Sequence, residues 1–170
     1  MADWLEHSVQ IEVSLPRSQA WDCWAKIEQM PQWMLWLDSV KELEDDPNLS
    51  RWTLSGLGFS FSWLARIFKK IPGQIIQWES VDGLPNRGAI RFYDQTADVG
   101  PSQSSSSSSS DRNPGSIVRL TVSYAIPGVV GQVMDNLFLG QLVEKMLQES
   151  LEKFRDYAQK QIQSTDAPQT

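Results

Sequence analysis

A chain of 170 residues, 41% hydrophobic and 21% charged, is long enough to bury roughly 70% of its unfolded surface in one globular unit. Its net charge of −6 opposes the cationic phosphate contacts that dominate nucleic-acid binding and gives no electrostatic reason to sit on an anionic membrane. One cysteine, Cys23, excludes an intramolecular disulfide, and with a single histidine, His7, the count excludes a Cys/His metal site.

The first residues carry Asp3 and Glu6 and have neither the basic flank nor the apolar core of a signal peptide. Ser8 to Leu15 alternates, with Val9, Ile11 and Val13 on one face and Gln10, Glu12 and Ser14 on the other, which predicts a half-buried strand. Pro16 ends it and opens a short amphipathic helix from Arg17 to Glu28 with Trp21, Trp24 and Ile27 on one side. Pro31 interrupts that helix, and a second short helical segment is expected from Pro31 to Leu37, carrying Trp33 and Trp36.

A run of strands follows. Val40–Glu44 and Arg51–Gly56 flank a turn at Asp45-Asp46-Pro47-Asn48, and Gly56-Leu57-Gly58 reads as a hairpin connection. Phe59 to Phe68 has the clearest alternation, then Pro72-Gly73 turns the chain into Gln74–Ser80 and, after a loop at residues 82–86, Arg87–Asp94. Residues 95–116 contain an unbroken serine run from Ser104 to Ser110. With almost no apolar content this stretch cannot offset the entropy of ordering itself, and it is expected to be a flexible insert between two adjacent strands. The next strand follows at once, from Val118 to Ile126.

Pro127-Gly128 then starts the longest periodic signal, from Val129 to Gln161, with Val130, Val133, Leu137, Leu142, Met146, Leu151, Phe154 and Ala158 on one expected face. A helix of that length spans roughly 50 Å at about 1.5 Å per residue, and residues 164–170 form a polar tail expected to fray. No run of about 18 apolar residues marks a transmembrane helix, so a cytoplasmic protein without an integral membrane segment is expected. Seven strands in meander order, two short helices after the first strand and one long terminal helix make an α+β domain, with its sheet wrapped on that helix.

In that order the pieces resemble the START-like, or SRPBCC, superfamily and its polyketide cyclase/dehydrase branch, which includes coenzyme Q-binding START-like proteins. The resemblance rests on Leu15-Pro16 followed by Ala20-Trp21-Asp22, on Met30-Pro31-Gln32-Trp33-Met34, and on Trp63-Leu64-Ala65-Arg66-Ile67. Pro72-Gly73, Ile76-Gln77-Trp78-Glu79-Ser80, Asn86-Arg87-Gly88, Tyr124 and Pro127-Gly128 complete it, over about residues 6 to 160. It implies the helix-grip fold, a single domain over residues 1–163, and an apolar cavity between sheet and helix for a lipid, quinone, isoprenoid or polyketide-like molecule.

The side chains expected to line that cavity come from the concave strand face and from the helix. From β-strands these are Phe59, Phe61, Trp63, Ile76 and Trp78, then Ile90, Phe92, Leu120, Val122 and Tyr124. From the helix they are Met134, Leu137, Phe138, Leu142 and Met146. Eight tryptophans suit a pocket wall, and equally a packed core. Trp33, Met34 and Trp36 form an aromatic cluster expected to act as a lid or a partner surface. Tyr124 is the preferred inward polar group, placed to orient a bound carbonyl.

No catalytic set is assembled. Nothing in the sequence positions His7 for acid/base work. Cys23, between tryptophans, reads as a buried thiol, Asp45-Asp46 is a poor cation loop, and Gly56-x-Gly58 is too short for a phosphate fingerprint. Arg66 and Arg119 lie on strands and are expected on the outer face; pointing inward, either would anchor an acidic or carbonyl-bearing ligand. A non-catalytic binding or carrier role for a hydrophobic small molecule is therefore expected, with no cofactor and no metal. A cyclase/dehydrase-type enzyme and a protein-interaction module using Trp33 and Trp36 are the alternatives, and a gate is expected in the glycine-bearing stretch from Val129 to Gly140.

Overall fold

Strand alternation and short turns lay the chain out as one antiparallel sheet. The computed structural model describes residues 4–95 and 115–165. Strand β1 (Trp4–Val13) is followed by α1 (Arg17–Ala25) and a 3-10 segment (Ile27–Gln32). Next come β2 (Leu37–Leu43), β3 (Asp46–Gly56), β4 (Phe59–Ile71), β5 (Ile75–Gly83), β6 (Asn86–Asp94) and β7 (Ser116–Ala125). A single turn of helix, α2 (Gly128–Gly131), precedes the long helix α3 (Asn136–Thr165). The sheet order is β1-β7-β6-β5-β4-β3-β2. Only β1 leaves chain order, pairing with β7 from Trp4↔Ala125 to Val13↔Ser116.

The turns follow backbone chemistry. Leu57 and Gly58 both have positive φ, 58° and 82°, the two-residue hairpin geometry that matches strand twist. Buried and exposed residues alternate along β1 and through Trp63, Ala65 and Ile67 of β4, so one sheet face is apolar and curls around α3. That helix presents Leu139, Val143, Met146, Leu147, Leu151, Phe154 and Ala158 to the sheet. Apart from the adjacent pair Met146 and Leu147, their steps of three and four residues make a single stripe.

Three expectations are corrected. The terminal helix is not continuous from Val129, because α2 ends at Gly131 and α3 begins only at Asn136. Asp135 Oδ1 accepts from the Leu137 backbone N–H at 3.2 Å, a capping contact that starts the new helix. The segment Pro31–Leu37 is not a second helix, since only Pro31 and Gln32 are helical, as the end of the 3-10 turn. The 3-10 turn ends at Gln32 and Trp36 takes a left-handed φ of 70°. The Asp45-to-Asn48 turn is tighter than expected, since β3 already begins at Asp46. The serine run lies outside the described residues, as do residues 166–170. At the edges of that insert Gln95 N–H donates to Gly115 O at 3.0 Å, and α3 runs on to Thr165.

One end of the sheet–helix interface is filled with rings. Trp24, Trp33 and Phe154 are each at most 1% exposed. Trp24 and Phe154 meet edge-on at 4.8 Å, and Trp33 lies 5.3 Å from Phe154 and 4.9 Å from Tyr157. Each such side chain contributes about 1.5–3 kcal/mol by burial, and ring pairs in these geometries add to that.

Candidate functional site

The opposite end is hollow. A cavity of about 170 Å³ lies between the sheet and the first turns of α3. Its floor is a row of three indoles on neighbouring strands. Trp52 of β3 stacks on Trp63 of β4 at 5.8 Å and on Trp78 of β5 at 6.2 Å. Two of their ring nitrogens are satisfied within the wall, Trp52 Nε1 donating to Ser50 Oγ at 2.7 Å and Trp78 Nε1 to Asn86 Oδ1 at 3.2 Å. Trp63 Nε1 is buried with no acceptor among the described residues.

Local backbone choices make room for these rings. A Cβ at Gly88 would sit 2.5 Å from Trp78 Cζ2, so the residue two after Asn86 must lack a side chain for the indole to lie flat. Asn86 is tied in turn to Leu84 O through Nδ2 at 2.8 Å. At the rim, a Cβ at Gly56 would meet Trp36 Cδ2 at 2.8 Å. The Trp36 indole therefore rests on the end of β3, and Ser55 N–H donates to Trp36 O at 2.7 Å. The connector is pinned to α3 by Ser150, whose Oγ accepts from Leu35 N–H at 3.0 Å and donates to Met146 O at 2.8 Å.

Of the strand residues expected to line a cavity, Phe59, Phe61, Trp63, Trp78, Val122 and Tyr124 do so. Ile76, Ile90, Phe92 and Leu120 are on the same apolar side but closed over, all at most 2% exposed, in the packed core. From the helix, Met146 lines the cavity and Met134, Leu137, Phe138 and Leu142 do not. Leu137 and Phe138 are 69% and 56% exposed. The helix restarts at Asn136, so its inward phase falls on Leu139, Val143, Met146 and Leu147 instead. In the connector, Met34 and Trp36 reach the cavity, whereas Trp33 is 1% exposed against Trp24 and Phe154 and offers no lid or partner surface. Arg66 pairs with Asp46 at 3.5 Å and Arg119 donates to Gln10 Oε1, so both point outward.

Among the described residues that line the cavity there is no Asp, Glu, Lys, Arg or His. The polar side chains besides the indoles are Asn86, already engaged, and Tyr124. Behind Tyr124 stands the lone histidine. His7 Nε2 lies 3.2 Å from the Tyr124 hydroxyl, the two rings stack at 5.7 Å, and Nδ1 is 3.8 Å from Glu144 Oε2 on α3. Burial holds the imidazole below its usual value of 6.5 despite the opposing pull of the Glu144 carboxylate. Burial also pushes the Tyr124 hydroxyl up to about 12. At neutral pH both groups are uncharged.

This group was invisible as a set in the sequence, since His7 and Tyr124 are 117 residues apart. The β1–β7 register, which places His7 opposite Val122 and Leu5 opposite Tyr124, brings them together.

The sequence match decides the family. Residues 13–155 match the family described as polyketide cyclase / dehydrase and lipid transport. The chain belongs to this family. Among solved structures it is similar to the Zhui aromatase/cyclase of Streptomyces sp. R1128, 14% identical with a TM-score of 0.70 over 98% of this chain and 100% of that one. It is also similar to a START superfamily protein of Mycobacterium smegmatis, 10% identical, TM-score 0.68, over 91% and 97% of the two chains. At these identities the likeness establishes the fold, a seven-stranded antiparallel helix-grip. A 17.2 kDa protein of Streptomyces lincolnensis is 29% identical over 84 residues, 49% of this chain and 55% of that protein, so the match spans about half the relative's length. Among the described residues of this polyketide cyclase/dehydrase family member, no helix is long and apolar enough to cross a membrane.

Proposed function

We propose that the protein binds and carries a hydrophobic small molecule in the cavity between the sheet and α3. The observation that carries this reading is a wall of carbon without a charged side chain, enclosing about 170 Å³. An apolar cavity of about 150 Å³ stays dry and takes up benzene, so this volume suits a one- or two-ring molecule or an equivalent stretch of hydrocarbon. Affinity comes from removing apolar surface from water, at about 25 cal/mol per Å². Met34 and Met146 supply adaptable walls.

A cyclase or dehydrase activity needs convergent acid/base groups facing the bound chain. The charge-free lining supports binding over that chemistry. Native mass spectrometry of freshly purified protein tests the proposal. A co-purifying apolar molecule, released by a Val143→Trp substitution that fills the cavity, is the expected result. Protein that is empty as isolated and shows no thermal shift across a panel of lipids, isoprenoids and aromatic hydrocarbons contradicts it.

A further inference from the structure

We propose that the cavity takes in only the bare hydrocarbon part of its ligand, and that the ligand is an amphiphile whose polar head stays in solvent at a mouth beside Leu57. The inference rests on the cavity reading and adds to it a ligand class and an orientation.

The ligand class follows from where the polar atoms of the wall are spent. The lining presents carbon to the space almost throughout. Trp52 Nε1 donates to Ser50 Oγ and Trp78 Nε1 to Asn86 Oδ1. Asn86 Nδ2 donates to Leu84 O, and the Tyr124 hydroxyl meets His7 Nε2 at 3.2 Å. Trp63 Nε1 has no partner among the described residues, and it is buried out of reach of a ligand. A hydroxyl, carbonyl or ether brought inside therefore loses its water and gains no hydrogen bond in return. Tyr124 contributes ring carbon to the wall, in place of the carbonyl contact expected from sequence.

The orientation follows from exposure. Trp52, Trp63 and Trp78, each at most 7% exposed, close the deep side together with buried Leu139, Met146 and Leu147. Leu57, at 41%, is the most exposed residue of the lining. It stands at the tip of the β3–β4 hairpin, next to Gly56, on which the Trp36 indole rests. The opening therefore lies between the hairpin tip and the connector, and a head that cannot enter is left in water there. No charged side chain stands among the described residues of the lining, so the tail defines the ligand and the wall does not read the head.

The test is isothermal titration calorimetry of the full chain at neutral pH with probes that share one chain, 1-octanol, 1,8-octanediol, octyl glucoside and octanoate, and with naphthalene as a probe that has no head. Octanol is expected to bind about fivefold to a hundredfold more tightly than octanediol, which has to bury a second hydroxyl without a partner. Octyl glucoside is expected to bind comparably with octanol, because its bulky head stays outside. Leu57→Lys is expected to tighten octanoate and Leu57→Glu to weaken it, each by about twofold to fivefold, the scale of an exposed charge pair. Octanol affinity stays the same in both variants.

Octanediol binding as tightly as octanol, or octyl glucoside failing to bind where octanol binds, overturns the proposed orientation and leaves the cavity reading standing. Octanoate binding equally well to both Leu57 variants overturns the mouth at Leu57. Binding of naphthalene without binding of any octyl probe overturns the amphiphile class and again leaves the cavity. Failure of every probe, naphthalene included, removes the cavity reading and this inference with it.

Discussion

Helix α3 runs along one sheet, yet its two ends are packed differently. At the C-terminal end Leu151, Phe154 and Ala158 are fully buried and Trp24, Trp33 and Tyr157 close around Phe154. At the N-terminal end Leu139, Val143, Met146 and Leu147 face a cavity of about 170 Å³. Both ends are lined by large apolar side chains, so composition is not the difference. The connector supplies Trp33 to one end as a plug and turns at Trp36, in left-handed backbone, so that this second indole lies on Gly56 at the rim rather than filling the space. The restart of the helix at Asn136 withholds Leu137 and Phe138 from the interior. A hollow survives where the backbone directs two or three large side chains elsewhere.

Truncation should separate the ends most strongly. Phe154→Ala is expected to cost about 3–5 kcal/mol, because the rings around it cannot collapse into the void. Phe61→Ala, in the wall of a space that already exists, is expected to cost about 1 kcal/mol or less. Urea unfolding of the two variants measures both, and similar losses would erase the contrast. Enlargement should run the other way. Leu151→Phe overpacks a filled site and is expected to cost about 1–3 kcal/mol. Val143→Phe grows into empty volume, so its unfolding midpoint should stay close to that of the natural protein while ligand uptake falls.

A smaller effect concerns pH. The His7 imidazole titrates below its usual 6.5 in the folded protein. Among the described residues, Tyr124 from β7, Glu144 from α3 and the backbone at Gly140 face it. As pH falls below about 6.5 the unfolded chain binds a proton that the native site resists, so stability declines toward acid and is unaffected by this group above that range. His7→Gln should flatten the slope between pH 7 and 5 in chemical unfolding. A slope identical to the natural protein's would show that His7 is not the group responsible.

Local opening is the mildest contrast. The α2–α3 break and the helical turns on either side of it hold exposed Val129, Val133, Leu137 and Phe138, next to Val130 and Leu139 of the cavity lining. Amide hydrogen exchange should be faster over residues 129–140 than over 146–154. Equal protection would argue against a gate there.

Much of this was legible in the sequence because strands write their faces with period two. Phe59, Phe61 and Trp63 declare one side of β4, and the strand order followed from turn chemistry at Gly56-Leu57-Gly58 and Pro72-Gly73. The start of α3 was not legible. Leu137, Phe138, Leu139, Leu142 and Val143 are all apolar, so two helical phases fit equally well, and the capping contact of Asp135 that selects one of them is a three-dimensional fact. Trp33 and Trp36 looked equivalent by spacing and were separated by a left-handed residue. His7 carried no local signal at all. Its role depends on β1 pairing with the last strand, a contact between the two extremes of the sheet sequence.

The central claim is that the end of the groove beside Asn136 receives an apolar molecule and the end beside Phe154 does not. The methionines report on it directly, since Met34 and Met146 line the cavity while Met30, 2% exposed, is buried away from it. Methyl NMR of methionine-labelled protein titrated with naphthalene should move the Met34 and Met146 resonances in a saturable way and leave Met30 in place. Uniform shifts of all three, or no saturable shift at Met34 and Met146, would contradict the account.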